Sequence, residues 1–169
     1  MQHSQGMYDL WSDADVCKYS GIVKDYDGNL IDTPVAGRTK SDLIIDFWLR
    51  AVVDGWGFRW AVLLLDSDEA FTGTVGFNSL TTCSQIAYHL LPKHWGQGIM
   101  TEASEAAIDW RRGNGATEIE AFTEPKNIPA IALARRLGMI ATDTVFERAR
   151  RYRMSVFRET GFDPSLATG

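Results

Sequence analysis

The ten residues from His94 to Ala103 hold the spacing in this chain best suited to chemistry. Trp95-Gly96-Gln97-Gly98 leads into Ile99-Met100-Thr101-Glu102-Ala103, a glycine-spaced turn that runs from a strand into an amphipathic helix. The first N–H groups of a helix have no intrahelical acceptor, and the aligned peptide dipoles put partial positive charge there, so such a turn seats an anion without a lysine. Gly96 and Gly98 permit positive φ and let a phosphate approach the amides with no Cβ in the way. The same spacing also serves as ordinary loop chemistry, and the flanking segments decide between the two.

The elements that must position this turn follow from the pattern on either side. The chain has 169 residues, 45% of them hydrophobic, which suits one domain spanning 1–169 with residues 1–6 and 160–169 as tails. Leu10, Ala14 and Cys17 predict a first helix from Met7 to about Tyr19, and residues 21–40 read as a turn-rich loop of the kind that borders sites. Ser41-Asp42 is placed to cap a second helix with Ile44, Phe47, Trp48 and Ala51 on its apolar stripe. Strands are predicted at 58–65, 71–77 and 85–91, an antiparallel meander ended by Pro92, which has no N–H to give a ladder. The helix after the turn carries Ala103, Ala106, Ala107 and Trp110 on the face expected to pack. A strand at 116–123 comes next, then a helix capped by Asn127 with Pro129 in its first turn and Gly138 as its stop, and strands at 139–146 and 150–157.

Composition narrows the function classes. A net charge of -5 and a pI near 5.1 oppose nucleic-acid binding, which relies on a basic face, and suit a cationic or amine partner or simply solubility. Cys17 and Cys83 sit in no metal-ligand or disulfide spacing, so no metal is expected and a reduced, cytoplasmic setting is the simplest. No apolar run approaches the ~20 residues that span a bilayer, so no membrane partner is expected.

A meander, a glycine turn, a helix, a strand, an Asn-capped helix and two closing strands form an α/β order with a mixed, mostly antiparallel sheet flanked by helices. Over about residues 7–157 this order resembles the GNAT N-acetyltransferase superfamily. Its RimJ/RimL-type branch places a strand, a proline and an aromatic Trp-Gly-x-Gly turn before Thr-Glu-Ala, as Pro92, Trp95–Gly98 and Thr101–Ala103 do here. Asn127, Ala130, Leu133 and Leu137-Gly138-Met139 are similar to the family's second marker.

The resemblance implies an N-acetyltransferase that moves an acetyl group from acetyl-coenzyme A to a primary amine, on a protein N-terminus or a small molecule, with coenzyme A as product. It implies pyrophosphate on the turn formed by Trp95, Gly96, Gln97, Gly98, Ile99, Met100 and Thr101. The pantetheine arm would run beside Leu90 and Leu91 as an added strand does, with Asn127, Ala130 and Leu133 along it. Arg135 or Arg136 would meet the ribose phosphate. Holding amine and thioester together supplies ~7–11 kcal/mol of the barrier in well-oriented pairs, so side-chain catalysts are dispensable in principle.

The chain departs from the family where proton transfer is expected. Gln85 stands at the position of a glutamate base and cannot take a proton, and Ala130 and Ala134 stand where a serine or tyrosine can protonate the thiolate. His89, beside the implied thioester position, is the replacement base; His94, Glu102 and Tyr88 read as structural, with Tyr88 on the opposite face of the strand. The family's first edge strand is missing here, which leaves an open edge that a homodimer could cover. The altered positions keep a second function class open, a non-catalytic acyl-coenzyme-A-binding or regulatory protein.

Overall fold

The computed structural model describes residues 3–65, 69–146 and 149–155. Helices α1 (Ser4–Trp11), α2 (Ala14–Cys17) and α3 (Arg38–Val53) cover one face of a sheet, with a small hairpin of β1 (Val23–Lys24) and β2 (Leu30–Ile31) between them. Strands β3 (Phe58–Leu64), β4 (Ala70–Phe77) and β5 (Cys83–Leu90) form the expected antiparallel meander. After it come a 3-10 turn (Pro92–His94), α4 (Ile99–Gly113), β6 (Glu118–Thr123), α5 (Ile128–Arg136), β7 (Ile140–Phe146) and β8 (Ala149–Ser155). The six-stranded sheet has the order β3-β4-β5-β6-β8-β7, and its one parallel pair is β5–β6. Among the described residues no strand pairs with the outer edge of β3, in keeping with the missing first strand.

Two apolar clusters hold the layers together. Phe77, Ile86, Ala107, Ile119 and Leu133 fill the space between the sheet and α4–α5, while Leu10, Trp11, Ile44 and Leu91 fill the space under α1–α3. Each fully buried aliphatic or aromatic side chain stabilises by ~1.5–3 kcal/mol relative to its exposed form. Strand β4, next to the β3 edge, is buried from Thr72 to Phe77, and Thr72 satisfies its hydroxyl by donating to the Val62 carbonyl at 2.9 Å.

Several expectations are corrected. The first helix is two, because the Asp13 carboxylate accepts from the Asp15 and Val16 amides at 2.9 and 3.0 Å and starts a new N-terminus. Ser4–Gly6 belong to α1 rather than to a tail, and the Ser4 hydroxyl donates to Asp42 at 2.5 Å. Helix α3 starts at Arg38 after Gly37, not at Ser41-Asp42; Ser41 is buried and donates to the Arg38 carbonyl. On α4 the buried stripe is Met100, Ser104, Ala107, Ile108 and Arg111. Ala106 is exposed, and Trp110 lies edge-on to Phe58 and Trp60 at the rim of β3. Residues 66–68, 156–157 and the expected tail at 160–169 lie outside the described residues. No described helix is long and apolar enough to cross a membrane.

Candidate active site

The site begins where two parallel strands part. β5 and β6 pair only over Cys83–Gln85 and Glu118–Glu120. Beyond this, β5 stays on β4, with Asn78 N–H donating to the Gln85 carbonyl and Leu91 N–H to the Thr72 carbonyl, both at 2.8 Å. Antiparallel alternation then assigns the backbone groups: odd-numbered residues of β5 turn theirs to β4, and Tyr88 and Leu90 turn theirs into the gap that β6 has left. A sheet edge in the middle of the molecule is the result.

Two cavities open on this gap. One, of about 520 Å³, runs from Leu90 along the glycine turn to Asn127, Ala130, Leu133 and Arg136. The other, of about 830 Å³, lies under α1–α3 and is walled by Trp11, Trp48, Arg59, Gln85 and His89 among others. Tyr19, Ser20, Tyr88, His89, Asn127 and Ala130 belong to both walls, so the cavities meet at the splayed strand.

The glycine turn has the geometry its spacing predicts. Gly96 and Gly98 have φ of 74° and 83°, and a Cβ built on either would meet no atom within 4 Å, which leaves open space over the amides. Thr101 N–H and Glu102 N–H both donate to the Gly98 carbonyl, whereas Gln97, Gly98, Ile99 and Met100 keep their N–H groups without a backbone acceptor among the described residues. Trp95, 45% exposed, donates its indole N–H to the Leu90 carbonyl at 2.7 Å, and the Gln97 side chain ties back to the Lys93 carbonyl. Met100 is buried in the core, and Thr101 accepts from Arg136 at 3.3 Å. Leu91 faces the α1–α3 cluster with its N–H and carbonyl both engaged, so it lines neither cavity. Of the two candidate arginines, only Arg136 reaches the turn.

Asn127 caps α5 as expected: its Oδ1 accepts from the Ala130 amide at 3.2 Å, which leaves the amide NH₂ as a donor at the cavity wall. Ala130 and Leu133 line the first cavity, and Leu133 also closes the core.

His89 stands at the junction. Its Nε2 is 3.4 Å from the Ser20 hydroxyl, its ring lies 4.6 Å from that of Trp11, and its Nδ1 is buried with no partner among the described residues. Burial, with Arg59 nearby, pushes its pKa down to about 3, so the imidazole is neutral throughout the ordinary pH range. Tyr88 points to the opposite side, donating to the Ala130 carbonyl at 3.4 Å, and burial raises its pKa to about 12, keeping the phenol protonated. Because the gap passes through the sheet, both faces of β5 reach cavity, which strand alternation alone does not reveal. Also unforeseen are Arg59, a cation in an apolar strand whose alternation turns it inward, and Trp11, whose indole N–H is buried without an acceptor among the described residues.

Of the turn-rich loop at 21–40, Gly21 to Lys24 border the larger cavity, while the acidic Asp25, Asp27 and Asp32 wall neither cavity. The Asp25 carboxylate is held by the Asn29 backbone and side-chain amides at 2.8 and 2.9 Å in the β1–β2 turn, which lowers its pKa. Among the described residues no cluster of three or more His, Cys, Asp or Glu is placed to hold a metal.

A mixed sheet splayed between β5 and β6, with a helix N-terminus at the gap, is the arrangement that the resemblance in sequence implies, and the comparisons agree. The acetyltransferase (GNAT) domain profile matches residues 2–140, and the chain belongs to this family. The uncharacterized N-acetyltransferase p20 of Bacillus licheniformis is 30% identical over 132 residues, 76% of this chain and 68% of that protein. The fold is shared with RimJ of Mycobacterium smegmatis, solved with a coenzyme A disulfide (TM-score 0.73, 16% identity, 92% of this chain and 78% of that one). It is shared equally with RimL, the ribosomal L7/L12 α-N-protein acetyltransferase solved with coenzyme A (TM-score 0.73, 15% identity, 90% and 88% covered).

Proposed function

We propose that this protein transfers an acetyl group from acetyl-coenzyme A to a primary amine by direct attack, with both substrates held at once. The observation that carries the reading is the meeting of the two cavities at Tyr88 and His89, where the strand edge turns unpaired backbone groups into the gap. The open glycine cradle and its four unpaired amides fit a pyrophosphate.

Acetyl-coenzyme A supplies a thioester: its carbonyl carbon gains a C–N bond, its C–S bond breaks, and the ammonium form of the amine yields an amide, a thiol and one proton. This chain's residues account for the rest. The amides of Gln97 to Met100 hold pyrophosphate, and Arg136 adds charge beside Thr101. Leu90 N–H and the Tyr88 backbone groups pair with the pantetheine arm and acyl carbonyl as an added strand, and the Asn127 NH₂ donates to the same arm. Trp95 fixes the Leu90 carbonyl, Gly96 and Gly98 shape the turn, and Ile99, Met100, Ala130 and Leu133 give the channel its apolar wall. Leu91 acts indirectly by fastening the end of β5 to Thr72.

His89 accepts a hydrogen bond from the incoming amine through its unprotonated ring nitrogen; as a ring of low basicity it orients the nucleophile, and the proton the amine loses goes to solvent in the cavity. The Tyr88 phenol, kept protonated, turns its one O–H from the Ala130 carbonyl to the departing sulfur. With acids and bases this weak, positioning carries most of the rate. The same weakness favours the second reading, an acyl-coenzyme-A-binding regulatory protein: Gln85, Ala130 and Ala134 line the cavities without a group that exchanges protons at neutral pH.

Thiol release measured across a panel of primary amines separates the two. Turnover with at least one acceptor, with the acetylated product seen by mass spectrometry, supports the enzyme. Saturable acetyl-coenzyme A binding with no turnover on peptides, amino acids, polyamines or amino sugars supports the regulator.

A further inference from the structure

We propose that the larger cavity selects a small primary amine that carries a carboxylate, and that Arg59 is the residue that holds it. The inference rests on the acetyltransferase reading and names its acceptor class.

Arg59 on β3 pairs with Gly76 on β4, and Gly76 pairs with Ala87 on β5. Residues directly opposite one another share a sheet face, so Arg59, Gly76 and Ala87 form one row, flanked on β5 by Gln85 and His89. Ala87 contributes only a methyl to the cavity wall, and the place a Cβ would take at Gly76 is filled by the Phe58 carbonyl and Arg59 Cα, which brings β3 close against β4. The guanidinium is fixed in place: it donates to the Phe58 carbonyl at 2.9 Å and to the Asn78 side chain, and it lies 4.0 Å from the centroid of the Trp48 ring. Two neutral acceptors and an aromatic face orient a guanidinium without neutralising it. Among the described residues Arg59 forms no ion pair, although four other arginines do: Arg50, Arg112, Arg151 and Arg153. Burial alone lowers its pKa, to about 9, as befits a desolvated cation with no carboxylate beside it.

A half-buried cation without a carboxylate partner among the described residues bears a desolvation cost, and a fork of N–H donors facing a cavity matches a carboxylate. The other charged wall residues are Lys24 and, beyond β6, Glu124, so the β3 side of the cavity is positive. The indole N–H of Trp11, buried without an acceptor among the described residues, is a second donor on the same wall. Contact with Asn78 at the end of β4 sets the guanidinium over that strand. The gap edge of β5, where the amine must arrive, lies across the same cavity, so an acceptor held by Arg59 lies along the cavity wall toward Tyr88 and His89. Trp11, Phe47, Trp48 and Trp56 around it suit an apolar body.

The test compares three spectrally silent acceptors of one shape: leucine, leucinamide and 3-methylbutylamine. In steady-state thiol release, leucine is expected to exceed the other two by about 10- to 100-fold in kcat/KM, mostly through KM. Arg59→Gln should erase that ratio and Arg59→Lys keep part of it, while acetyl-coenzyme A binding to both variants, read by calorimetry, stays intact and certifies the fold. If none of the three turns over, quenching of tryptophan fluorescence decides: saturation by leucine and not by leucinamide supports the assignment, and no saturation by leucine at millimolar concentration overturns it. Equal or better use of leucinamide or 3-methylbutylamine by the unaltered protein also overturns it and leaves the acetyltransferase reading standing. Failure to bind acetyl-coenzyme A would instead remove that reading.

Discussion

The indole N–H of Trp95 reaches back 2.7 Å to the carbonyl of Leu90, joining the phosphate turn to the last residue of the splayed strand. This single bond sets the anion seat and the strand edge at a fixed separation, and a ligand with a phosphate at one end and a thioester at the other needs that separation held. It also takes up the one Leu90 backbone acceptor in the gap, leaving the Leu90 N–H to bond the ligand.

Trp95→Phe keeps the ring and removes the donor. Acetyl-coenzyme A affinity is expected to fall about 5- to 10-fold by calorimetry, with a loss of about 1 kcal/mol in unfolding free energy from denaturant curves. Unchanged affinity would mean that the turn is held in register by other contacts.

Asn127 has two separable roles. Asn127→Ala removes the helix cap and should cost about 1 kcal/mol of stability, whereas Asn127→Asp keeps the Oδ1 acceptor and with it the thermal midpoint. Both remove the NH₂ donor, so both should weaken acetyl-coenzyme A binding. Full affinity in the aspartate variant would restrict Asn127 to capping.

His89 imposes a pH dependence on stability with a defined sign. Its folded-state pKa of about 3 lies below the unfolded value near 6.5, so the unfolded chain binds more protons between those limits. Its contribution is fully present above pH 6.5 and is lost as pH falls toward 3, about 3 kcal/mol between pH 7 and 4. Urea titrations across this range should show a shallower slope in His89→Gln by that amount. The activity profile should lack any inflection from His89 between pH 5 and 8, whereas a limb there that vanishes in His89→Gln would show a base of ordinary pKa.

Arg136 adds charge to the turn through Thr101, while the neighbouring Arg135 lines neither cavity. Arg136→Ala should raise the Kd for coenzyme A several-fold and flatten its salt dependence, and Arg135→Ala should change neither. Equal effects from both would point to general attraction by basic residues.

The anion seat was legible because glycine spacing, a strand before it and helix periodicity after it are local properties, and the positive φ at Gly96 and Gly98 follows directly. The Asn127 cap and the Gly138 stop were legible for the same reason. Arg59 was not, because what makes it informative is that no carboxylate among the described residues pairs with it, which depends on how three strands and α3 pack. Nor was the reach of both Tyr88 and His89 into cavity, since alternation assigns one face each and only the parting of β5 from β6 opens both. The buried stripe of α4 was misjudged because small alanines pack on either side of a helix, and Trp110 turned to the aromatic rim of β3.

Whether the glycine turn and splayed strand together form one acyl-coenzyme A site is measured most directly by calorimetric titration of the protein with acetyl-coenzyme A. A single saturable site in the micromolar range, weakened by Trp95→Phe and by Arg136→Ala, is the predicted result. No heat of binding up to millimolar acetyl-coenzyme A would contradict it.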